Sequence, residues 1–141
     1  MKIFFIGMMG SGKTTLAKKL SELMNKSYVD IDDLIELKEN MSVSEIFGKY
    51  GEDYFRKIEN VTLRSIGNSE IIACGGGIIM NKNNRKFLNE NGFTIYLKTS
   101  LPVLEKRLKG KNRRPLIKNM NLRKTLGDIY HDRRKSYEDT A

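Results

Sequence analysis

Gly7, Gly10, Gly12, Lys13 and Thr14 stand in the stretch GMMGSGKT with the spacing G-x-x-x-x-G-K-[ST], which suits one chemistry above others, the holding of phosphate. Glycines let successive N–H groups converge on a phosphate without interference from Cβ atoms, and a helix that follows adds the positive end of its dipole. Lys13 is placed to reach β and γ oxygens, and Thr14 offers a hydroxyl to Mg²⁺. The competing reading is a glycine-rich turn that merely begins a helix. Context favours nucleotide binding, because an apolar run suited to a buried strand precedes the loop and a helical pattern follows it. The motif is silent about what accepts the phosphate.

Other residues are candidates for that second task. Asp30 and Asp32 alternate in SYVDID, read as the end of a second strand. Both then face the crevice beyond the strand ends, where open α/β sheets bind ligands. Asp30 is placed to serve Mg²⁺ through water, and Asp32 to accept or orient the proton of an attacking hydroxyl. Alternatively Asp32 or Asp33 caps the helix that begins DLIEL, and for Asp33 the cap is the better reading. Gly75-Gly76-Gly77 either admits a ligand close to the backbone or makes an ordinary tight turn. Arg56, in YFRKIE, is either an exposed helix charge or a carboxylate clamp, and periodicity does not choose. Cys74 reads as a small core residue, and His131, the only histidine, as a surface or helix-end residue.

The elements that must position these groups follow from hydrophobic spacing. KIFFI is a first strand, and Leu16, Leu20, Leu23 and Met24 mark a helix after the loop. SYVDID is a second strand, and a helical stretch runs from Ser42 to about Gly67 with a break near Gly51. EIIAC, a helix over 83–91 and FTIYL come next, then a helix marked by Leu101, Leu104 and Leu108. KGKNRRPLIKNMN (109–121) has loop character, and Leu122, Leu126, Ile129 and Tyr130 outline a last helix. Alternating strands and helices predict an α/β fold with a parallel sheet and helices on both faces.

Bulk properties agree. With 141 residues and 39% hydrophobic content, one domain over 1–141 is expected. The formal charge of +9, from 26 Lys+Arg against 17 Asp+Glu, predicts anionic partners. KRLKGKNRRP is rich in basic residues but holds no aromatic residue to stack bases, so a substrate-closing or solvated loop is preferred to a nucleic-acid reader. One cysteine makes no internal disulfide, and no run approaches the ~18 apolar residues of a membrane span. Lys2 to Met9 superficially opens like a signal peptide, but the apolar run breaks at Gly10 and no small-residue cleavage site follows. A cytoplasmic chain with neither nucleic-acid nor membrane partner is expected.

GMMGSGKT, VDID, FRKIE, CGGGII, RRPL and RRKSY, in this order and approximate spacing, make the chain resemble the shikimate kinase family over nearly its whole length. The resemblance implies a three-layer P-loop kinase fold, ATP and shikimate as substrates, Mg²⁺ as cofactor, a monomer, and phosphorylation of the shikimate 3-hydroxyl on the way to aromatic amino acids. It implies that Gly10, Ser11, Gly12, Lys13, Thr14 and Thr15 bind ATP, with Thr14 and Asp30 serving the metal. Asp32, Arg56, Gly75, Gly76, Gly77 and Arg133 would form the shikimate site, with Arg56 and Arg133 on the carboxylate. Arg107 would lie near the adenine, residues 109–121 would be a mobile lid, and Arg114 would close onto the transferring phosphate, a catalytic role shared with Lys13 and Asp32. Family members continue into a further strand, an adenine-contacting loop and a C-terminal helix. This sequence stops at SYEDTA, so those parts are expected to be missing. Two other readings stay open: a related kinase of another small hydroxylated metabolite such as gluconate, and an NTP-binding module without transfer.

Overall fold

The computed structural model describes residues 1–109 and 121–141. Arg114 and all but the two ends of the expected lid lie outside the described residues. Four parallel strands form the sheet: β1 (Lys2–Ile6), β2 (Tyr28–Asp30), β3 (Ile71–Ala73) and β4 (Gly92–Tyr96), in the spatial order β2-β3-β1-β4. β1 sits inside the sheet and its side chains divide between two layers. Phe4 and Ile6 join the larger core, while Phe5 packs with Ala17 of α1 (Lys13–Met24), Ile71 and Ala73 on the other face. Burial on both faces explains why KIFFI is a continuous apolar run.

The larger layer holds α2 (Ile31–Glu39), α3 (Val43–Tyr50), α4 (Glu52–Arg64), α5 (Lys82–Asn91) and α7 (Leu122–Thr140), with α6 (Leu101–Leu108) packed beside α7. Ser42 starts α3 through a reciprocal capping box with Glu45, satisfying N–H groups that the first turn leaves unpaired. The chain breaks between α3 and α4 at Gly51, as the spacing predicts. Among the described residues no helix is long and apolar enough to cross a membrane.

The second strand is a correction to the sequence reading. β2 stops at Asp30, whose side chain caps α2 by accepting from the Asp33 N–H at 3.1 Å. Asp32 and Asp33 therefore occupy the first turn of α2, and neither is the cap. The period-2 argument for Asp30 and Asp32 lapses once the chain turns helical. The physical cause is that a carboxylate at the strand end binds the next backbone N–H groups better than the ladder does.

Candidate active site

Three chain segments leave the C-terminal ends of neighbouring strands and meet there: the loop after β1, Asp30 after β2 and the glycine turn after β3. This is where an open α/β sheet forms its ligand crevice. The first loop passes through Gly12 at φ 95°, the left-handed residue that opens α1 with no side-chain cap. With neither a capping side chain nor an acidic residue in the first turn, α1 presents its N–H groups and dipole to an anion. The Lys13 ammonium donates to the Gly7 and Met8 carbonyls at 2.9 and 2.8 Å, holding its stem over the loop. Arg107, exposed on α6, donates to the Gly10 carbonyl at 3.0 Å. It thus borders the phosphate loop.

Beside the loop, the Thr14 hydroxyl donates to Asp30 Oδ2 at 2.7 Å. The pair offers only oxygen donors, and no group of three or more His, Cys, Asp or Glu side chains able to hold a metal exists among the described residues. That donor set fits Mg²⁺, which keeps several waters and shares phosphate oxygens rather than entering an all-protein cage.

Next to the loop lies a pocket lined by Asp32, Arg56, Glu59, Gly75, Gly76, Gly77 and Arg133, with Met9, Val43, Phe47 and Phe55 supplying apolar wall. Every acceptor-site residue predicted from the sequence is brought together here. Arg56 lines this pocket and is not an exposed helix charge. Its guanidinium donates to Glu59 at 2.9 Å and to Glu52 at 3.3 Å, with its side chain only 21% exposed. Gly77 presses against that guanidinium so closely that a Cβ would lie 2.5 Å from Nη2. Only glycine fits without displacing the arginine.

Sequence reasoning missed Glu59, Phe47 and Phe55. Glu59 follows Arg56 at i+3, a spacing that places the two side by side on a helix, and that was the available signal. Phe47 and Phe55, whose ring centroids are 4.9 Å apart, read as ordinary core positions, and no sequence signal separates a pocket wall from a core. Burial pushes the Glu59 carboxyl above its ordinary range, and Arg56 and Arg133 oppose that shift. Arg56 Nε and Glu59 Oε2 are buried without a hydrogen-bond partner among the described residues. Cys74 is buried in the core beneath the turn, where burial raises its thiol pKa. His131 is exposed on α7. Both match the bland readings.

A glycine-rich loop between strand and helix, a hydroxyl–carboxylate pair beside it and a separate pocket holding two arginines define the P-loop kinase class. The family model described as shikimate kinase matches residues 9–141. A shikimate kinase of Sulfurihydrogenibium sp. is 43% identical over 118 residues, 82% of this chain and 71% of the relative. One of Staphylococcus epidermidis is 40% identical over 140 residues, 99% of this chain and 82% of the relative. The solved shikimate kinase of Acinetobacter baumannii in complex with shikimate superposes with a TM-score of 0.97 at 34% identity, over 99% of this chain and 79% of that one. The chain belongs to the shikimate kinase family.

Proposed function

We propose that the chain transfers the γ-phosphoryl group of ATP to the 3-hydroxyl of shikimate, giving shikimate 3-phosphate and ADP. The observation that carries the reading is the separation of tasks within one crevice: bare backbone and Lys13 on one side, two arginines on the other. The Gly10–Thr15 loop holds the phosphates, and Lys13 neutralises charge on the oxygens between the leaving ADP and the transferring group. Arg56 and Arg133 hold the substrate carboxylate, which gives two cations in a partly apolar pocket a matching anion. Asp32, at the first turn of α2 and against the Gly75 turn, orients the attacking hydroxyl and takes its proton as the bond to phosphorus forms.

Thr14, and Asp30 through water, would hold Mg²⁺, which when bound supplies further neutralisation of phosphate charge. Arg107 borders the adenine, and Arg114, outside the described residues, closes on the transferring phosphate with the 109–121 segment. All assigned residues belong to one chain, so the reading requires no second copy. A buried free thiol and ATP suit the cytoplasm.

ADP release coupled to NADH oxidation, measured with shikimate, with gluconate and with no acceptor, tests the reading. Shikimate-dependent turnover is expected. ADP formation indifferent to shikimate contradicts it, and turnover confined to gluconate transfers the assignment to the related kinase.

A further inference from the structure

The RRKSY stretch supplies Arg133 to the pocket, but it also contains Tyr137, one helical turn later on α7. Tyr137 is fully buried and does not line the pocket. Its ring stacks on Tyr96 of β4, centroids 5.0 Å apart and planes 17° apart. Its hydroxyl donates to the Gly76 carbonyl, with Met8 Sδ 3.9 Å away on the phosphate-loop side. A phenol has one proton to give, and the carbonyl is the better acceptor, so Met8 is a packing neighbour.

The geometry at Gly76 makes that bond consequential. A Cβ on Gly76 would lie 3.4 Å from the Met9 nitrogen and 3.5 Å from both the Gly7 oxygen and Arg133 Nη1. The turn therefore lies in contact with both the phosphate loop and Arg133. The peptide joining Gly76 to Gly77 is trans, so its C=O and N–H point in opposite directions. Holding the carbonyl toward buried Tyr137 aims the Gly77 N–H away from the core. Among the described residues no backbone acceptor takes the N–H of Gly76 or Gly77.

We infer that Tyr137 is a positioning residue for the acceptor: by holding the Gly76 carbonyl it fixes the Gly76–Gly77 peptide, so that the turn presents its N–H to the substrate and keeps its distance from the phosphate loop. This deepens the proposed shikimate reading and rests on it. Burial raises the phenol pKa to about 12 against the charge and hydrogen bond of Arg133, which lower it, so the donor keeps its proton throughout the pH range in which a kinase works. Two glycines in succession make the peptide free to rotate once unpinned, which is why an anchor outside the pocket matters.

The test compares wild type with Tyr137→Phe, which keeps the stacked ring and removes only the hydroxyl. The shikimate KM is expected to rise about five- to tenfold, the size of one lost hydrogen bond, with the ATP KM within about twofold. Amide exchange over residues 75–80 is expected to quicken while that of α1 is unchanged. A core control, Ile35→Val, should reproduce any loss of melting temperature without moving either readout. Unchanged exchange in folded Tyr137→Phe overturns the inference whatever the KM does, because the hydroxyl also meets Arg133, and so does an unchanged KM. If wild type ignores shikimate, the proposed function fails and the exchange comparison alone decides whether Tyr137 holds the turn. Should Tyr137→Phe not fold, Tyr96→Leu, which loosens the ring's seat and spares the hydroxyl, is expected to move both readouts in the same direction by less. No movement in it counts against the inference.

Discussion

The phosphate loop and the acceptor pocket face each other across one crevice but are built in opposite ways. The loop is contiguous, and its chemistry is that of backbone N–H groups with one lysine, so its function is written in a single octapeptide. Apart from Met9, which the loop lends to its wall, the pocket is drawn from α2, α3, α4, the turn after β3 and α7, and its charged side chains are dispersed over about a hundred residues. Contiguous sites fail by local substitution and dispersed ones by loss of alignment. A change on one side should therefore leave binding on the other side intact.

Lys13→Ala gives the largest expected effect on that division. Removing the charge that meets the transferring group should lower kcat by at least about 10²–10³-fold. Shikimate binding measured by calorimetry should persist, and near-normal turnover in a folded variant would break the assignment. Arg133→Ala comes next. Arg133 is 5% exposed, and loss of its charge-assisted bond should raise the shikimate Kd by ~10- to 150-fold, with nucleotide affinity unmoved. A parallel loss of nucleotide affinity would show that the two regions are not separable.

Gly77→Ala sharpens the comparison from the backbone side. The added methyl must push Arg56 aside, and the shikimate KM should rise about tenfold while the ATP KM stays put. The smallest effect concerns Glu59. Its folded pKa is raised above its ordinary 4.5 by burial, so between the unfolded and folded values the native chain holds a proton that the unfolded chain has released. That contribution to stability is complete below the unfolded value and is lost as pH rises through the folded pKa. Glu59→Gln removes this slope. Chemical denaturation across that window should show wild-type stability falling relative to the variant, and parallel curves would refute the burial argument.

What could be read from the sequence follows the same division. The loop, all four strands and the helices carrying Arg56 and Arg133 are legible because glycine spacing and hydrophobic periodicity are local signals. The end of β2 is not, because Asp30 has a choice between ladder and cap that only its neighbours settle. Phe47, Phe55 and Tyr137 sit at apolar helical positions whose spacing is the same whether they face a core, a pocket or a turn. Asp32 was placed in the crevice by an alternation that does not exist there, and it reaches the site from the first turn of α2 instead. The resemblance supports Asp32 independently of that alternation, whereas Arg133 rests on the resemblance alone.

In the proposed function Arg56 serves the acceptor's carboxylate and not the nucleotide. The direct measurement is kcat/KM for shikimate together with the ATP dissociation constant, in wild type and in Arg56→Lys. A lysine keeps the charge but lacks the planar fork that holds a carboxylate with two bonds. In Arg56→Lys, kcat/KM for shikimate should be lowered by ~10-fold or more, with the ATP constant unchanged. Unchanged shikimate kinetics, or a loss of ATP affinity of the same size, would contradict it.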